Sequence, residues 1–542
     1  MKKSIISLFL VLAMLLCSIP AMAEPTNENA LSDPRVRQAM AYAIDMQAII
    51  DGLMAGKASV ASVMAPDGAW KPEGLNNYDY NPDKARELLK EANWDANRVL
   101  DCVYYYGDQM TVDLLTAVQA YFADVGIQMT MRKLEGDLAS QLWVAPKDSV
   151  NGPSAVEWDL AYAAVAALSM GDYYDRYQGG YSSNSHTPKD EKLDSLIAAT
   201  NATSDVEKQM AAYHELEKYE NENEINLPLY HQPVFIVQSD RLDRGTAPYG
   251  NDQYMYDWDL VNWDIKPDAD GKKILRANGG PAEFFETPFF NPGFIMSQKL
   301  LFDRLLVADE NLSPKAGALA SEYALSDDGL SFTVTLRDGI KWHDGEDITV
   351  DDIIGTVELA TKVNTNPVIL TTFKALEGYD AYAGGTAEHI SGITVDGKTI
   401  TFKFAKINPN ILLTFTQFAP LPMKYLKDVD PALIQQSDFW QKPVGSGAYK
   451  LSDVKMGEYA VFVPFESYYG GVGKIEEIRL YPSGESDPNL VKNAAAGELD
   501  YAYTKSVEDV IALEAMENMK VNAVDVRYTR LLYINKFPHA QK

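Results

Sequence analysis

The residues that could carry catalysis or bind a metal are few in this 542-residue chain and stand far apart. Its six histidines include no pair at the i, i+4 spacing with which a helix holds zinc, and the His-Glu-x-x-His motif does not occur. The two cysteines, Cys17 and Cys102, are too few for a zinc site or a disulfide framework. We therefore predict no metal and no cofactor.

The motifs of phosphate binding and of nucleophilic catalysis are also missing from the sequence. The turn Gly107-Asp108-Gln109 follows a predicted strand but lacks the second and third glycines of a dinucleotide fingerprint. No Gly-x-Ser-x-Gly elbow is followed by a suitable acid and histidine. Acidic pairs such as Asp351-Asp352 are typical of helix starts. An exported hydrolase stays an alternative that no motif favours.

Aromatic and polar residues gathered in loops indicate binding rather than catalysis. Asp172, Tyr173 and Tyr174 follow an apolar run at 158–167 that predicts a buried strand. Ligands of α/β sheets bind in loops at the carboxyl ends of strands. A second loop, 284–294, contains five phenylalanines, which are costly if exposed and either pack as local core or line a pocket.

The elements that must position these loops follow an α/β pattern. A strand at 99–106, a helix at 110–124 stopped by Gly126 and a strand at 127–134 form a β-α-β unit, which predicts parallel strands. The second half of the chain is richer in strands, and 301–429 reads as a separate α+β subdomain. Lys266 to Gly271 reads as a linker.

The N-terminus and the charge limit where the chain works and what it binds. Lys2 and Lys3, an apolar run and the sequence Ala21-Met22-Ala23 predict a cleavable signal peptide over residues 1–23. The protein is then periplasmic or extracellular. Lipid anchoring at Cys17 is less favoured because bulky residues precede it. A formal net charge of −29 argues against nucleic acid as a partner.

Four motifs resemble one family, the family 5 extracellular solute-binding proteins, which are peptide/nickel-type binding subunits of ABC importers. The residues that carry this resemblance are Ser326-Asp327-Asp328-Gly329-Leu330 with Asp338-Gly339-Ile340-Lys341-Trp342-His343-Asp344-Gly345, Pro443-Val444-Gly445-Ser446-Gly447-Ala448-Tyr449, Gly497-Glu498-Leu499-Asp500, and Asp33-x-Arg35-Val36-Arg37-Gln38-Ala39. The resemblance covers nearly all of 31–266 and 271–542.

The resemblance implies a two-lobed, type II periplasmic-binding-protein-like fold of the α/β class with an extra α+β subdomain, closing on ligand by hinge motion. The order of the motifs differs from the family, in which a strand like 273–277 comes first and a segment like 531–537 runs on into 31–34. We interpret the chain as circularly permuted, which is tolerated when the original ends lie together. The predicted parts are lobe II at 31–227 completed by 531–542, lobe I at 228–300 and 430–530, and the extra subdomain at 301–429.

The resemblance also implies ligand contacts. Asp172 matches the aspartate that pairs with the α-ammonium of peptide ligands, although Ser169 and Tyr162 replace a tryptophan and an arginine of the family pattern. The other predicted contacts are Tyr173, Tyr174, Phe290, Asn291, Phe294, Tyr528 and Tyr533. The implied function is a monomeric substrate-binding component that delivers a di- or oligopeptide to membrane permease subunits. An oligosaccharide binder, a nickel binder and a sensory role remain alternatives.

Overall fold

A computed structural model describes residues 29–251, 253–289, 295–482 and 488–539. The predicted signal peptide, Cys17 and the loop residues Phe290, Asn291 and Phe294 lie outside the described residues. No helix in the described ranges is both long enough and apolar enough to cross a bilayer.

A six-stranded sheet forms the centre of the part that we call lobe II. Strand Val99–Tyr104 pairs in parallel with Gln128–Lys133 and with Leu160–Ala166, which confirms the predicted β-α-β unit. Apolar residues cover both faces of the sheet. The strands, in spatial order, are Ser59–Val60, Leu227–His231, Tyr528–Ile534, Leu160–Ala166, Val99–Tyr104 and Gln128–Lys133.

Helices cover both faces of this sheet, and local sequence sets their ends. Asp33 caps the first of them by accepting a hydrogen bond from the Arg35 N–H group. Gly126 ends the β-α-β helix at φ +91°, a conformation that favours glycine. The helices are Pro34–Ala43, Met46–Leu53, Pro82–Glu91, Gln109–Val125, Leu138–Leu142, Gly171–Tyr174, Glu191–Thr200 and Val206–Asn223.

A seven-stranded mixed sheet forms the centre of lobe I. Strand Ile274–Gly280 lies in its middle and pairs in parallel with Glu477–Pro482. The strands, in spatial order, are Tyr449–Lys455, Tyr459–Pro464, Glu477–Pro482, Ile274–Gly280, Tyr501–Thr504, Val234–Ser239 and Met519–Val524. Helices Ile295–Leu301, Leu490–Ala495 and Val507–Glu514 belong to this lobe, as does the small sheet of Leu242–Asp243 and Asp264–Ile265.

The extra subdomain is an α+β unit attached to lobe I. Its antiparallel sheet consists of Ala320–Leu325, Ser331–Leu336, Thr399–Lys403 and Ile393–Asp396, in that spatial order. Its helices are Val350–Ala360, Pro367–Lys374, Tyr379–Ala383, Ile411–Gln417 and Met423–Leu426, and a two-stranded sheet, Val307–Ala308 with Pro314–Lys315, lies beside them. One continuous hydrophobic core joins the subdomain to the lobe I sheet.

The chain passes between the two large sheets at 232–233 and again at 525–527. Strand Leu227–His231 and the start of strand Tyr528–Ile534 pair within the lobe II sheet. Lobe II therefore extends a few residues beyond the boundaries predicted at 227 and 531, and both crossings lie in stretches that were predicted as lobe I.

The two ends of the described chain meet in lobe II. The side chain of Asn29 donates hydrogen bonds to the carbonyl oxygens of Asn535 (2.7 Å) and Phe537 (2.8 Å). Asn29 is buried, so this contact is part of the packed structure rather than a surface encounter.

Candidate functional site

A cavity of about 520 Å³ lies between lobe II and the extra subdomain. Trp70, Tyr213 and Arg527 are among the residues that line it from lobe II, and Leu312 and Leu413 face them from the subdomain side. The rings of Trp70 and Tyr213 meet edge to face with centroids 5.7 Å apart. An aromatic wall opposite an aliphatic wall, with one arginine and three carboxylates among the lining residues, suits a small amphipathic ligand.

The two sides of the cleft touch each other directly. Leu168 of lobe II packs with Tyr254 and with Val368 of the subdomain in one small buried cluster. A methyl group added at Gly329, at the tip of a subdomain hairpin, would lie 2.5 Å from the Ser204 hydroxyl of lobe II. The lobes are therefore closed on one another along this edge.

Asp172, the predicted ammonium partner, lies under the loop that forms the cleft floor. Its Oδ2 accepts hydrogen bonds from the backbone N–H groups of Leu168 and Ser169, both at 2.9 Å. Burial raises the pKa of Asp172, while the two backbone N–H groups and the charge of Arg527 act to lower it. The carboxylate thus organises its own loop, and a ligand ammonium would have to share it with these donors.

Arg527 joins this loop to the crossing segment 525–527. Its Nη1 donates a hydrogen bond of 2.8 Å to the Leu168 carbonyl, and its guanidinium lies 5.6 Å from the centroid of the Trp70 ring. Burial lowers the pKa of Arg527, although an arginine stays charged at any physiological pH. Its position beside Asp172 was not anticipated from the sequence.

Three of the predicted tyrosines are buried in lobe II rather than exposed to the cleft. The Tyr173 hydroxyl lies 3.1 Å from the Thr529 hydroxyl, and the Tyr174 hydroxyl donates a hydrogen bond of 2.8 Å to Glu217. Tyr533 packs against Trp143 in the same core. All three residues are at most 1% exposed, so they belong to the core of lobe II.

Tyr528, the remaining predicted contact in the described residues, lies where the chain enters the lobe II sheet. The ammonium nitrogen of Lys505 lies 4.4 Å from the centroid of the Tyr528 ring, and the central carbon of the Arg530 guanidinium lies 5.2 Å from it. Lys505 comes from lobe I, so Tyr528 lies at the junction of the two lobes. Arg530 belongs to no sequence motif, but it is the one charged residue of its strand, and the sequence shows that.

His231 lies beside a hydroxyl side chain but does not activate it as a nucleophile. His231 and Thr529 are a buried imidazole–hydroxyl pair 3.0 Å apart, but the hydroxyl of Thr529 donates to the Met64 carbonyl and not to the imidazole. Burial lowers the pKa of His231 to about 3, so it stays neutral. Within the described residues, no cluster of three or more histidine, cysteine or carboxylate side chains could hold a metal ion.

Comparison with known proteins assigns this architecture. The family model of the bacterial extracellular solute-binding proteins, family 5 Middle, matches residues 18–190 and 316–537, which is more than half of the chain. The oligopeptide-binding protein AppA of Bacillus subtilis is 23% identical over 261 residues, 47% of this chain and 45% of its own. The oligopeptide-binding protein OppA of Lactococcus lactis subsp. lactis is 28% identical over 225 residues, 39% of this chain and 36% of its own.

Each of these alignments spans less than half of the relative's length. Among solved structures, NikZ from Campylobacter jejuni, in complex with Ni(L-His), superposes over 46% of each chain with 24% identity and a TM-score of 0.36. The match of the family model over both large segments is the broader finding. By that match, the chain belongs to the bacterial extracellular solute-binding proteins, family 5.

Proposed function

We propose that this protein is the substrate-binding component of an ABC importer and captures a short peptide between its lobes. The observation that carries the proposal is the cavity of about 520 Å³ that lies between lobe II and the extra subdomain. Proteins of this kind bind by closing two lobes around a ligand. Relatives named as oligopeptide-binding proteins support a peptide over a sugar or a metal complex.

The hinge in this proposal consists of the two crossing segments, 232–233 and 525–527. Arg527 of the second segment holds the cleft loop through the Leu168 carbonyl, so closure and the loop are mechanically linked. The closed form would then dock on the membrane permease as a monomer. The name of the family and the predicted signal peptide both support an exported location. The net charge of −29 argues against nucleic acid as a partner.

We infer binding without catalysis for the same cleft. Glu217 is a buried acid that accepts hydrogen bonds from the Tyr174 hydroxyl and the Ala65 N–H group and is not among the residues that line the cavity. Cys102 is fully buried, and burial raises the pKa of its thiol, which suppresses the reactive thiolate. These features suit storage and release of an unchanged ligand.

Thermal unfolding of the purified protein tests the proposed function. A pool of short random peptides should raise the melting temperature, whereas oligosaccharides and nickel should not, because a ligand that binds only the folded state stabilises it by mass action. Stabilisation by sugars or nickel alone would contradict the peptide assignment.

A matched pair of variants locates the binding. Trp70→Ala removes a ring from the cavity wall and should abolish most of the peptide-induced shift. Trp94→Ala removes a similar, partly buried ring from lobe II, where it packs near Arg98 outside the cavity. The second variant should keep the shift. Equal loss in both would place the ligand elsewhere.

A further inference from the structure

A second cavity, of about 550 Å³, lies within lobe II and apart from the cleft. Its walls come from the helix junction at 41–47, the edge strand Ser59–Val60 and the chain at 224–229. Of the described residues, Asp67 alone lines both this space and the cleft cavity, so the segment around Asp67 lies between the two. We call this space the lobe II cavity, and its volume is that of a small-molecule site.

Glu224 places a buried carboxylate at the wall of the lobe II cavity. Only 2% of the residue is exposed, yet it is among the residues that line the space. Within the described residues, its carboxylate accepts no hydrogen bond and forms no ion pair. A buried acid in this situation is costly, and a cation that entered the cavity would supply the missing partner.

The main chain holds Glu224 in a conformation that is unusual for this residue type. Helix Val206–Asn223 ends here, and Glu224 follows it in the left-handed region, at φ 44° and ψ 59°, where glycine or asparagine is usual. The Nε of Arg37 donates a hydrogen bond of 2.7 Å to the Glu224 carbonyl oxygen. This contact fixes the main chain at the turn and leaves the carboxylate unbonded.

The surroundings of the Glu224 carboxyl favour a cation as its partner. Burial raises the pKa of Glu224, and the charge of Glu220 raises it further, while the charge of Arg37 acts to lower it. An ammonium group in the cavity would act in the same direction as Arg37 and so stabilise the ionised carboxylate.

The other charged residues of the lobe II cavity are mostly acidic. Asp45, Asp67 and Asp79 line it together with Glu224. Lys71 is the one cation among the described lining residues, and its Nζ is already bonded to Asp67 at 2.8 Å. The cavity therefore attracts cations and repels anions.

The remaining walls of the lobe II cavity are apolar. Ile44, Met46, Leu227 and Leu229 line it, and each is at most 6% exposed. Such walls suit a hydrocarbon chain better than a hydrated inorganic ion. Within the described residues, no group of three or more histidine, cysteine or carboxylate side chains could hold a metal ion. The fitting ligand is therefore an organic cation.

We propose that the lobe II cavity binds a small primary amine with an aliphatic chain, whose ammonium group pairs with Glu224. This inference goes beyond the proposed function, because it names a second ligand site outside the cleft. An alcohol of the same length would fill the apolar walls but leave the carboxylate without a charged partner. A carboxylic acid would meet like charges.

Isothermal titration calorimetry on the full wild-type protein tests the inference without any mutation. The probes are hexylamine, 1-hexanol and hexanoate at neutral pH. We expect hexylamine to bind about tenfold or more tightly than hexanol, because the alcohol cannot form a charge-assisted hydrogen bond as an ammonium donor. Equal binding of amine and alcohol, tighter binding of hexanoate, or no binding of any probe would each overturn the proposal.

The Trp70→Ala variant separates this site from the cleft. Trp70 lines the cleft cavity and not the lobe II cavity, so hexylamine should bind this variant as it binds the wild type. Loss of hexylamine binding in Trp70→Ala would place the amine in the cleft and overturn the proposal.

Further variants assign the effect to Glu224. Glu224→Gln keeps the shape of the side chain and should remove the preference for amine over alcohol. Glu220→Gln is the matched control, since Glu220 is a buried acid of the same helix that does not line the cavity, and this variant should keep the preference. Far-UV circular dichroism checks folding. A folded Glu224→Gln protein with the full preference would refute the assignment.

A substitution at an exposed position keeps the test decisive if Glu224→Gln does not fold. Val60 lines the lobe II cavity and is 37% exposed. Val60→Lys brings a like charge to the cavity and should weaken hexylamine binding, whereas Val60→Gln should weaken it less. Equal affinity of hexylamine for these two variants would contradict a cation site.

Discussion

Replacing Asp172 separates a loop-stabilising role from a ligand-binding role. In the structure its Oδ2 accepts two backbone hydrogen bonds of 2.9 Å from Leu168 and Ser169, both buried. Asp172→Ala leaves two buried N–H groups unpaired, at about 1–3 kcal/mol each, but also removes the cost of a buried carboxylate. We therefore expect a net loss of about 2 kcal/mol in the free energy of unfolding.

Asp172→Asn is the informative partner of that variant. The amide oxygen can accept the same two hydrogen bonds without the charge, and charge-assisted bonds are about twice as strong as neutral ones. We expect a loss of about 1 kcal/mol, smaller than in the alanine variant. Urea unfolding followed by circular dichroism measures both values, and peptide titration of each folded variant measures the affinity.

The stability of the alanine variant and its peptide affinity together decide between the two roles of Asp172. If Asp172→Ala unfolds at the same urea concentration as the wild type while peptide affinity collapses, the carboxylate serves the ligand and the loop does not depend on it. That result would refute the loop-stabilising role of the two backbone hydrogen bonds. Lower stability with little change in the affinity of the remaining folded protein would instead remove Asp172 from the binding site.

Three further predictions concern other parts of the molecule. Burial raises the pKa of Glu217 from 4.5 to about 8, so the folded state holds this proton more tightly than the unfolded state does. The free energy of unfolding should therefore fall as the pH rises between these values. Glu217→Gln should reduce this slope in urea titrations at several pH values, and an unchanged slope would contradict the role of Glu217. Gly445→Ala should destabilise lobe I by several kcal/mol, because the added methyl group would collide with the Leu301 carbonyl, and a wild-type melting temperature would show that the backbone moves aside. The permutation proposal can be tested with a reordered chain that begins and ends in the exposed turn 268–271 and joins residue 539 to residue 29. This chain should give the wild-type circular dichroism spectrum and peptide response. Failure of the chain to fold would count against the permutation.

Local sequence was sufficient for much of lobe II. The β-α-β unit was predictable because an apolar strand, a capped helix and Gly126 at the helix end are neighbours in sequence, so no distant contact was needed. The apolar spacing over 190–222 is typical of a helix, but the structure divides this stretch at 201–205, where Asp205 caps a new helix. An exposed capping residue inside a periodic stretch was the signal for that break.

The side chains of the site were harder to predict, because an alternating strand does not reveal which face meets the cleft. Tyr533 and Arg530 occupy opposite faces of one strand, and the tyrosine, predicted as a contact, lies in the core. Asp172 was identified by its loop, but the direction of its carboxylate depends on backbone N–H groups that become available only when the turn forms. Arg527 and Arg530 acquire their partners from segments hundreds of residues away.

The central position of strand Tyr528–Ile534 has a consequence for the order of synthesis. Its neighbours on either side are Leu160–Ala166 and Leu227–His231, made roughly three to four hundred residues earlier in the chain. Until this last strand leaves the ribosome, the lobe II sheet is split and both neighbouring strands present an unpaired edge. Contacts between such distant segments form slowly. Lobe II of the nascent chain therefore stays incompletely folded until this strand has been made, in a state that an export machinery able to thread only unfolded chains could accept.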